Sequence, residues 1–354
     1  MNPKNIQRIV RLHDSPLLVN RNNFINKSLS CWSVNPFMGC LHGCQFCSVP
    51  GTSTIKQRAL LKHFEVDEPG LEWGGYLLVR PIDEPAFLRS LKKAEDAPTS
   101  ELNEDGNRAV IYSSTTDAYQ VIKGLSPKQT TRMRTVARHA RRRSLEMIRD
   151  HSTLNVRVLT RSPLAREDFD LFKSFGNRLL LGTSLPTLDE GLSQVYEPRV
   201  PGPRQRLKLL RDAHSEGIHT FVAVAPVFPE CNYESLVALF ESLKVANLVT
   251  IFMEPVNIRQ EIAIRIQESA ARVGRSINME PFINRDTWAD YALLKLREAE
   301  EAACETGLSE RLHLWPDKDL GAKRVVERQS DPEKYQAWLE EKWSRISEWP
   351  GKKS

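Results

Sequence analysis

The chain has 354 residues, of which 27% are charged and 40% hydrophobic, with a formal net charge of +5. This length is too great for one minimal domain and allows a large α/β core with an appendage, and the mild positive charge permits a polyanionic partner without requiring one. Six cysteines do not indicate a disulfide framework, no apolar run reaches membrane-spanning length, and residues 1–14 lack the apolar core of a secretory signal, so we expect a cytoplasmic protein without a membrane association.

The first predicted elements prepare a cysteine-rich loop. Residues 1–30 are polar and irregular, and we expect them to pack around that loop or to fray. The sequence CWSVNPF at 31–37 predicts a short strand that leads into the loop.

Residues 39–47, GCLHGCQFC, place Cys40, Cys44 and Cys47 at C-x3-C-x2-C spacing. Three thiols at this spacing can converge on a small inorganic centre, and cysteine thiolates hold cuboidal iron–sulfur clusters. Because a fourth cysteine is absent nearby, a four-iron cluster would keep one iron open to another ligand. Zinc is the alternative, but structural zinc usually takes four ligands in two pairs, and His42 would be an awkward fourth ligand next to these cysteines.

Strand-like and helix-like segments then alternate, which predicts a parallel sheet with crossover helices. We predict an α/β fold, a partial (β/α)6 TIM-type barrel over residues 31–284, with its chemistry at the carboxyl ends of the strands. The predicted strands after the loop are 76–81, 109–114, 155–161, 178–184, 219–226 and 248–255.

A long helix is predicted from Ser126, its N-cap, to about Arg149, with Pro127 at the first position. Arginines between Arg132 and Arg143 lie opposite its apolar residues. This face is able to hold phosphates, but a solvated outer helix with acidic neighbours is the simpler interpretation.

The pattern becomes helical after residue 285, and we predict a C-terminal helical extension over 285–354. Asp286 or Thr287 is the expected cap of its first helix, and Asp331 is the expected cap of its last. The stripe of apolar residues from Tyr335 to Ile346 predicts a helix docked on the barrel, with a substrate-binding lid as the alternative.

Several stretches, in this order, resemble the spore photoproduct lyase-like branch of the radical S-adenosylmethionine (SAM) superfamily. They cover roughly residues 31–260 and comprise NPFMGCLHGCQFC (35–47), SSTTDAYQ (113–120), TRSPLAREDFDLF (160–172) and the stretch at 182–218.

The resemblance implies that Cys40, Cys44 and Cys47 ligate a [4Fe–4S] cluster whose open iron binds SAM. It further implies that Thr116, Asp117, Arg161 and Ser184 face SAM, with Arg161 as a cation for its carboxylate. An electron donor such as flavodoxin or ferredoxin is the expected partner, and a nucleic acid is a candidate substrate.

Two departures from that branch disfavour a literal spore photoproduct lyase. The branch's hydrogen-donor cysteine is replaced by Ser114, and the aromatic residue after the third cluster cysteine is replaced by Ser48. Cys231 follows the fifth predicted strand and is our candidate hydrogen-atom donor, although a packed loop residue is the simpler interpretation.

These features predict a radical SAM enzyme with a lyase-like or other radical-based reaction on an unidentified substrate. Two alternatives remain from the residues. One is a non-catalytic protein whose iron–sulfur cluster is structural or redox-sensing, and the other is a zinc-stabilised module that binds nucleic acid.

Overall fold

The computed structural model describes residues 8–22, 29–98, 100, 102, 108–257 and 260–350. Within these residues the chain forms eleven β-strands. They are β1 (Ile9–Leu12), β2 (Val19–Arg21), β3 (Trp32–Val34), β4 (Phe37–Met38), β5 (Tyr76–Val79), β6 (Ala109–Tyr112), β7 (Asn155–Thr160), β8 (Leu179–Ser184), β9 (Thr220–Val227), β10 (Thr250–Pro255) and β11 (Leu312–Leu314).

The same residues form eleven α-helices, most of which connect consecutive strands. They are α1 (Arg58–Lys62), α2 (Glu84–Glu95), α3 (Pro127–His151), α4 (Phe169–Lys173), α5 (Glu190–Tyr196), α6 (Pro203–Ser215), α7 (Tyr233–Leu243), α8 (Gln260–Val273), α9 (Arg285–Glu305), α10 (Lys323–Val326) and α11 (Pro332–Ser344).

The main sheet has the strand order β2-β3-β6-β7-β8-β9-β10-β11. Every neighbouring pair from β3 to β11 is parallel, and β2 pairs with β3 in the antiparallel sense. The strands β6 and β8 are buried along their whole length, because helices cover one face and side chains fill the other. The predicted α/β class with a parallel sheet is therefore confirmed, and β2 and β11 are the two edges of the sheet in the described residues.

One predicted strand belongs to a different sheet. Residues 76–79 form β5, which pairs with β1 and β4 in a separate three-stranded sheet. The described part of the 1–30 segment is therefore not irregular, since it supplies both β1 and β2. Residues 1–7 and 23–28 of that segment lie outside the described residues.

The predicted helix ends are mostly confirmed. Ser126 caps α3 in a reciprocal capping box with Gln129, and Asp331 caps α11 by accepting from the amide of Lys334. The predicted cap of α9, Asp286 or Thr287, is wrong. The cap is Asn284, whose side chain accepts hydrogen bonds from two amides of the first turn.

The predicted all-helical C-terminal extension over 285–354 is wrong in one respect, because the region also contains a strand. Its short strand β11 extends the main sheet beyond β10, and Trp349 packs beside Phe221 and Phe252 on the inner face. Helix α9 supplies many residues of the largest hydrophobic cluster, which also includes the inner faces of α7 and α11. Across the described residues, every helix is too short or too polar to traverse a lipid bilayer.

A candidate active site at the carboxyl ends of the strands

The cysteine loop follows β4 and needs two glycines. Gly39 has φ +84°, and a Cβ there would lie 2.5 Å from the Tyr76 ring. Gly43 has φ +55°, and a Cβ there would lie 2.9 Å from the Cα of Gly74. Because both positions combine left-handed backbone with close packing, glycine is the residue that fits them.

Side chains from the loop after β6 hold the first half of the cysteine loop. The Leu41 amide donates to Oε1 of Gln120 at 2.6 Å, and Oγ1 of Thr116 donates to the Gly39 carbonyl at 2.7 Å. Gln120 in turn donates to Oγ1 of Thr116 at 3.1 Å. These bonds fix the backbone that carries Cys40.

Arg265 of α8 holds the second half of the cysteine loop. Its guanidinium donates to the Gln45 carbonyl at 3.0 Å and to the Cys47 carbonyl at 2.6 Å. Sequence reasoning missed both Gln120 and Arg265, and Arg265 lies more than 200 residues away from the loop that it fixes.

The three thiols form a chemically consistent donor set. Burial raises the pKa of Cys40 to about 12 and raises the pKa values of Cys44 and Cys47, and the charges of Cys40 and Cys47 raise the pKa of Cys44 further. The positive charge of Arg161 lowers the pKa of each thiol, but by less than burial raises it. Binding to iron would stabilise the thiolates and offset the free-energy cost of burying them as free anions.

The donor set of the cysteine loop rests on the three thiols alone. Within the described ranges, no three His, Cys, Asp or Glu side chains are arranged as a metal-ligand set. The three cysteines nevertheless lie close enough to influence one another's pKa, so the loop presents three thiol donors to one region.

Asp117 links the end of β7 to the cysteine loop through its carboxylate. Its Oδ1 accepts from Oγ1 of Thr160 at 2.8 Å, and its Oδ2 accepts from the Arg161 amide at 2.7 Å and lies 3.5 Å from Nδ1 of His42. Burial lowers the pKa of His42 despite the carboxylate beside it. The structure therefore places Thr116 and Asp117 against the cysteine loop and not in the cavity described next.

A buried ion-pair chain joins the ends of β7 and α5. Glu197 is 1% exposed and lies 2.7 Å from Nε of Arg161 and 2.7 Å from Nη2 of Arg206. Burial raises the pKa of Glu197, but the charges of Arg206 and Arg161 lower it by more, so the net shift is downward. Glu197 and Arg206 stand within the 182–218 stretch that carried the family resemblance, yet nothing local in the sequence pairs them.

Arg161 lies at the centre of the expected site. Its Nη2 donates to Oγ of Ser184 at 2.9 Å, and its guanidinium lies 5.6 Å from the ring centre of Phe46. In the part of the chain that the structure describes, its Nη1 has no hydrogen-bond acceptor. One edge of the cation is thus held by Glu197 and Ser184 and another is free to bind a ligand.

A cavity of about 340 Å³ opens above these groups on the inner face of the sheet. Strands β6 to β11 and the cysteine loop all contribute to its wall. The polar or reactive residues of the lining are Cys47, Ser48, Ser113, Ser114, Arg161, Ser184, Glu254, Asn257, His313, Trp315 and Asp317. The expected residues Cys47, Arg161 and Ser184 therefore meet in one space.

Ser114, which replaces the family's donor cysteine, is part of this lining. Nδ2 of Asn35 donates to its Oγ at 3.0 Å, and Oδ1 of Asn35 accepts from the Thr115 amide at 3.0 Å. Ser114 is thus a fixed hydroxyl at the end of β6.

Cys231 is placed elsewhere. It is 2% exposed, lies in the hydrophobic cluster beneath Phe228, and its Sγ contacts the Pro186 carbonyl at 3.7 Å. Burial raises the pKa of its thiol to about 11. Because Cys231 does not line the cavity, the geometry does not support the expected role of direct hydrogen-atom donor.

Three arginines in the C-terminal half of the predicted basic face of α3 are paired with carboxylates. Arg141 and Arg142 lie 2.8 Å and 2.7 Å from buried Asp168, and Arg143 lies 2.7 Å from Glu84. The simpler interpretation, an outer helix with acidic neighbours, describes this part of the face.

No protein-family model matches the chain. Two uncharacterized proteins are similar to it in sequence. The ORF301 protein of Acidianus two-tailed virus is 31% identical over 217 residues, which are 61% of this chain and 62% of the viral protein. The MJ0683 protein of Methanocaldococcus jannaschii is 22% identical over 56% of this chain and 60% of its own length. The match thus spans about three fifths of these relatives.

Solved structures of spore photoproduct lyase share the fold. A mutant with bound AdoMet and dinucleoside spore photoproduct superposes with a TM-score of 0.57 and 12% identity, covering 86% of this chain and 80% of the lyase. The lyase complexed with dinucleoside spore photoproduct gives a TM-score of 0.55 and 13% identity, covering 80% and 76%. At 12–13% identity, this likeness shows a fold shared with spore photoproduct lyase.

Proposed function

We propose that this protein is a radical SAM enzyme whose partial barrel holds a [4Fe–4S] cluster on Cys40, Cys44 and Cys47 and SAM in the adjoining cavity. The observation that carries the proposal is the meeting of the cysteine loop, Arg161 and Ser184 around one cavity at the carboxyl ends of parallel strands. The lyase that shares this fold binds AdoMet. When bound and reduced, the cluster supplies the electron that cleaves SAM to methionine and a 5′-deoxyadenosyl radical able to abstract hydrogen.

The chain's own residues orient SAM. The free edge of Arg161 binds the SAM carboxylate, and Glu197 and Ser184 hold the guanidinium in position for that contact. Thr116 and Asp117 act at one remove, because they fix the cysteine loop and the Arg161 backbone rather than face the ligand. The ring of Phe46 excludes water beside the guanidinium.

The hydrogen donor differs from that of the lyase branch. Ser114 occupies the donor position in the cavity wall, and an O–H bond is much stronger than a thiol S–H bond, so a hydroxyl does not readily quench a carbon radical. We therefore propose a reaction in which no protein thiol at position 114 donates the final hydrogen atom. This differs from thymine-dimer reversal by the lyase route. The packing of Cys231 away from the cavity supports the same conclusion.

An acidic electron-transfer protein, such as a flavodoxin or a ferredoxin, is the proposed reductant. Arg199 donates to the Gly74 carbonyl beside Gly43, and partial desolvation followed by the positive charges of Arg8 and Arg272 lowers its pKa. None of these three arginines pairs with a carboxylate in the described part of the chain. They form a positive surface beside Gly43 of the cysteine loop, which suits a negatively charged partner.

A nucleic acid is the proposed substrate class. The related lyase structures contain a dinucleoside spore photoproduct, which favours a nucleic acid. Of the α3 arginines that first suggested phosphate binding, Arg141, Arg142 and Arg143 are paired with carboxylates, which leaves the exposed Arg132 and Arg138 for contacts with a nucleic acid.

The test is anaerobic reconstitution of the full chain. We expect about four iron and four sulfide per chain, and loss of both in the triple variant Cys40→Ala, Cys44→Ala, Cys47→Ala. Cys304→Ala, at an exposed free cysteine, is the matched control and should retain the cluster.

SAM binding separates the enzyme from its alternatives. SAM should change the EPR spectrum of the reduced protein and be converted to 5′-deoxyadenosine. A cluster that ignores SAM would favour the structural or redox-sensing protein, and one metal without sulfide would favour the zinc-stabilised module.

A further inference from the structure

The role of His313, the middle residue of strand β11, is not explained by SAM binding. His313 is 1% exposed and lines the cavity, and its ring packs edge-on against Phe252 with 5.1 Å between the ring centres. Neither Nδ1 nor Nε2 has a hydrogen-bond partner in the described structure. A buried polar ring without a partner destabilises the folded state, so its presence at a cavity wall points to a ligand that completes it.

The sheet register connects His313 to the SAM-binding residues. His313 pairs with Phe252, Phe252 with Ala223, and Ala223 with Ser184, and all four line the cavity. Ser184 in turn accepts a hydrogen bond from Arg161. His313 therefore lies on the same side of the sheet as the SAM site and at the opposite end of one row.

The surroundings define the kind of group that fits. Burial, followed by the positive charges of Arg345 and Arg157, lowers the pKa of His313 to about 3, so the ring is neutral and offers one N–H donor and one nitrogen acceptor. These two arginines disfavour a cation beside the ring. Glu254 and Asp317 line the same cavity and disfavour a free carboxylate.

The walls near His313 are flat and apolar. Phe221 and Phe252 pack at 5.9 Å in an edge-to-face arrangement, and Trp315 adds another ring to the lining. Such walls favour a planar group that is neutral but carries strong hydrogen-bonding atoms.

We propose that His313 is a specificity-determining residue that binds a neutral amide or lactam group of the substrate, in the part of the cavity away from the cysteine loop. This rests on the proposed function in so far as the group belongs to the substrate that the SAM-derived radical attacks. The ring donates to the carbonyl or accepts from the N–H of that group.

The test uses full-length, anaerobically reconstituted protein labelled with ¹⁵N-histidine, with SAM present. Thymidine is the lactam probe, N-acetylglycinamide the carboxamide probe, and acetate the charged control. The ring signals of His313 are assigned as those missing from His313→Phe, and probe dissociation constants are measured by titration.

At least one neutral probe should shift the His313 ring nitrogens. His313→Phe should weaken that probe by about tenfold, since the ring's hydrogen bonds are lost, whereas His313→Asn should keep most of the affinity because it retains a donor and an acceptor. His313→Phe should also unfold at no lower a temperature than wild type, because the imidazole has no protein partner to lose.

The proposal is overturned if neither neutral probe shifts the His313 ring, if acetate binds as tightly, or if His313→Phe leaves probe affinity unchanged. Iron content and SAM binding, measured by equilibrium dialysis, should be equal in wild type and His313→Phe. If wild type contains no iron and does not bind SAM, the proposed function is refuted instead. The response of the His313 ring to the probes is measured independently of that result.

Discussion

The buried carboxylate of Glu197 offers the sharpest test of the site. In Glu197→Gln the neutral amide keeps the shape of the side chain but leaves Arg161 and Arg206 with no counter-charge from residue 197. Arg206 is 0% exposed, and both arginines lie 2.7 Å from the carboxylate. Removing one partner of a buried ion pair costs about 3–5 kcal/mol, a large share of the roughly 5–15 kcal/mol that stabilises a typical domain.

The measurement is urea unfolding of the ligand-free protein at pH 7, so that it does not depend on a cluster or on SAM. Glu190→Gln, at the first residue of helix α5, is the matched control, since Glu197 directly follows that helix. The Glu190 side chain is 47% exposed and lies 4.0 Å from an Arg204 that is 91% exposed, so this change should cost less than about 1 kcal/mol. Equal small losses in both variants would show that Glu197 does not stabilise the two arginines.

The pH dependence has a definite sign. Because folding lowers the pKa of Glu197, its contribution is fully present above the ordinary glutamate value of 4.5 and is lost as the pH falls through the folded value. The stability difference between wild type and Glu197→Gln should therefore be constant from pH 7 to about pH 5 and shrink below pH 4.5. A difference that grows on acidification would contradict the assigned direction.

Three further changes test the cysteine loop, the proposed reductant surface and the role of Cys231. Gly43→Ala should lower iron content, because it combines φ +55° with a Cβ only 2.9 Å from the Gly74 Cα. The double variant Arg199→Glu, Arg272→Glu should slow reduction by flavodoxin or ferredoxin at low salt while reduction by dithionite stays unchanged. Cys231→Ala should leave 5′-deoxyadenosine formation unchanged and reduce only stability, by about 1 kcal/mol, since its thiol packs outside the cavity.

The glycine and arginine changes each have a matched control. Gly217→Ala has the same left-handed strain, at φ +76°, with nothing within 4 Å, so it should cost about 1 kcal/mol and spare the iron. Lys92→Glu with Lys323→Glu changes charge equally at exposed positions and should not affect the reductant. If wild type repairs a dinucleoside spore photoproduct while Cys231→Ala forms 5′-deoxyadenosine without repairing it, the donor hypothesis would be restored.

Local sequence determined the cysteine loop, six strands of the main sheet and most helix caps. Each of these depends on residues close together in the chain: the C-x3-C-x2-C spacing, continuous apolar runs such as residues 179–181, and the Ser126-Pro127 start of α3. The separate three-stranded sheet was not foreseen, since a buried strand reads the same whichever sheet it joins, and β5 pairs with residues from the start of the chain.

The tertiary structure alone decided which of the candidate site residues lie together. Thr116 and Asp117 face the cysteine loop because their partners are backbone atoms that sequence does not reveal. The three-residue strand β11 is too short to show a period, so His313 gave no signal until the sheet placed it in the cavity wall beside Phe252. Contacts between residues far apart in the chain leave no local pattern, and those contacts determine which side chains of this protein meet a ligand.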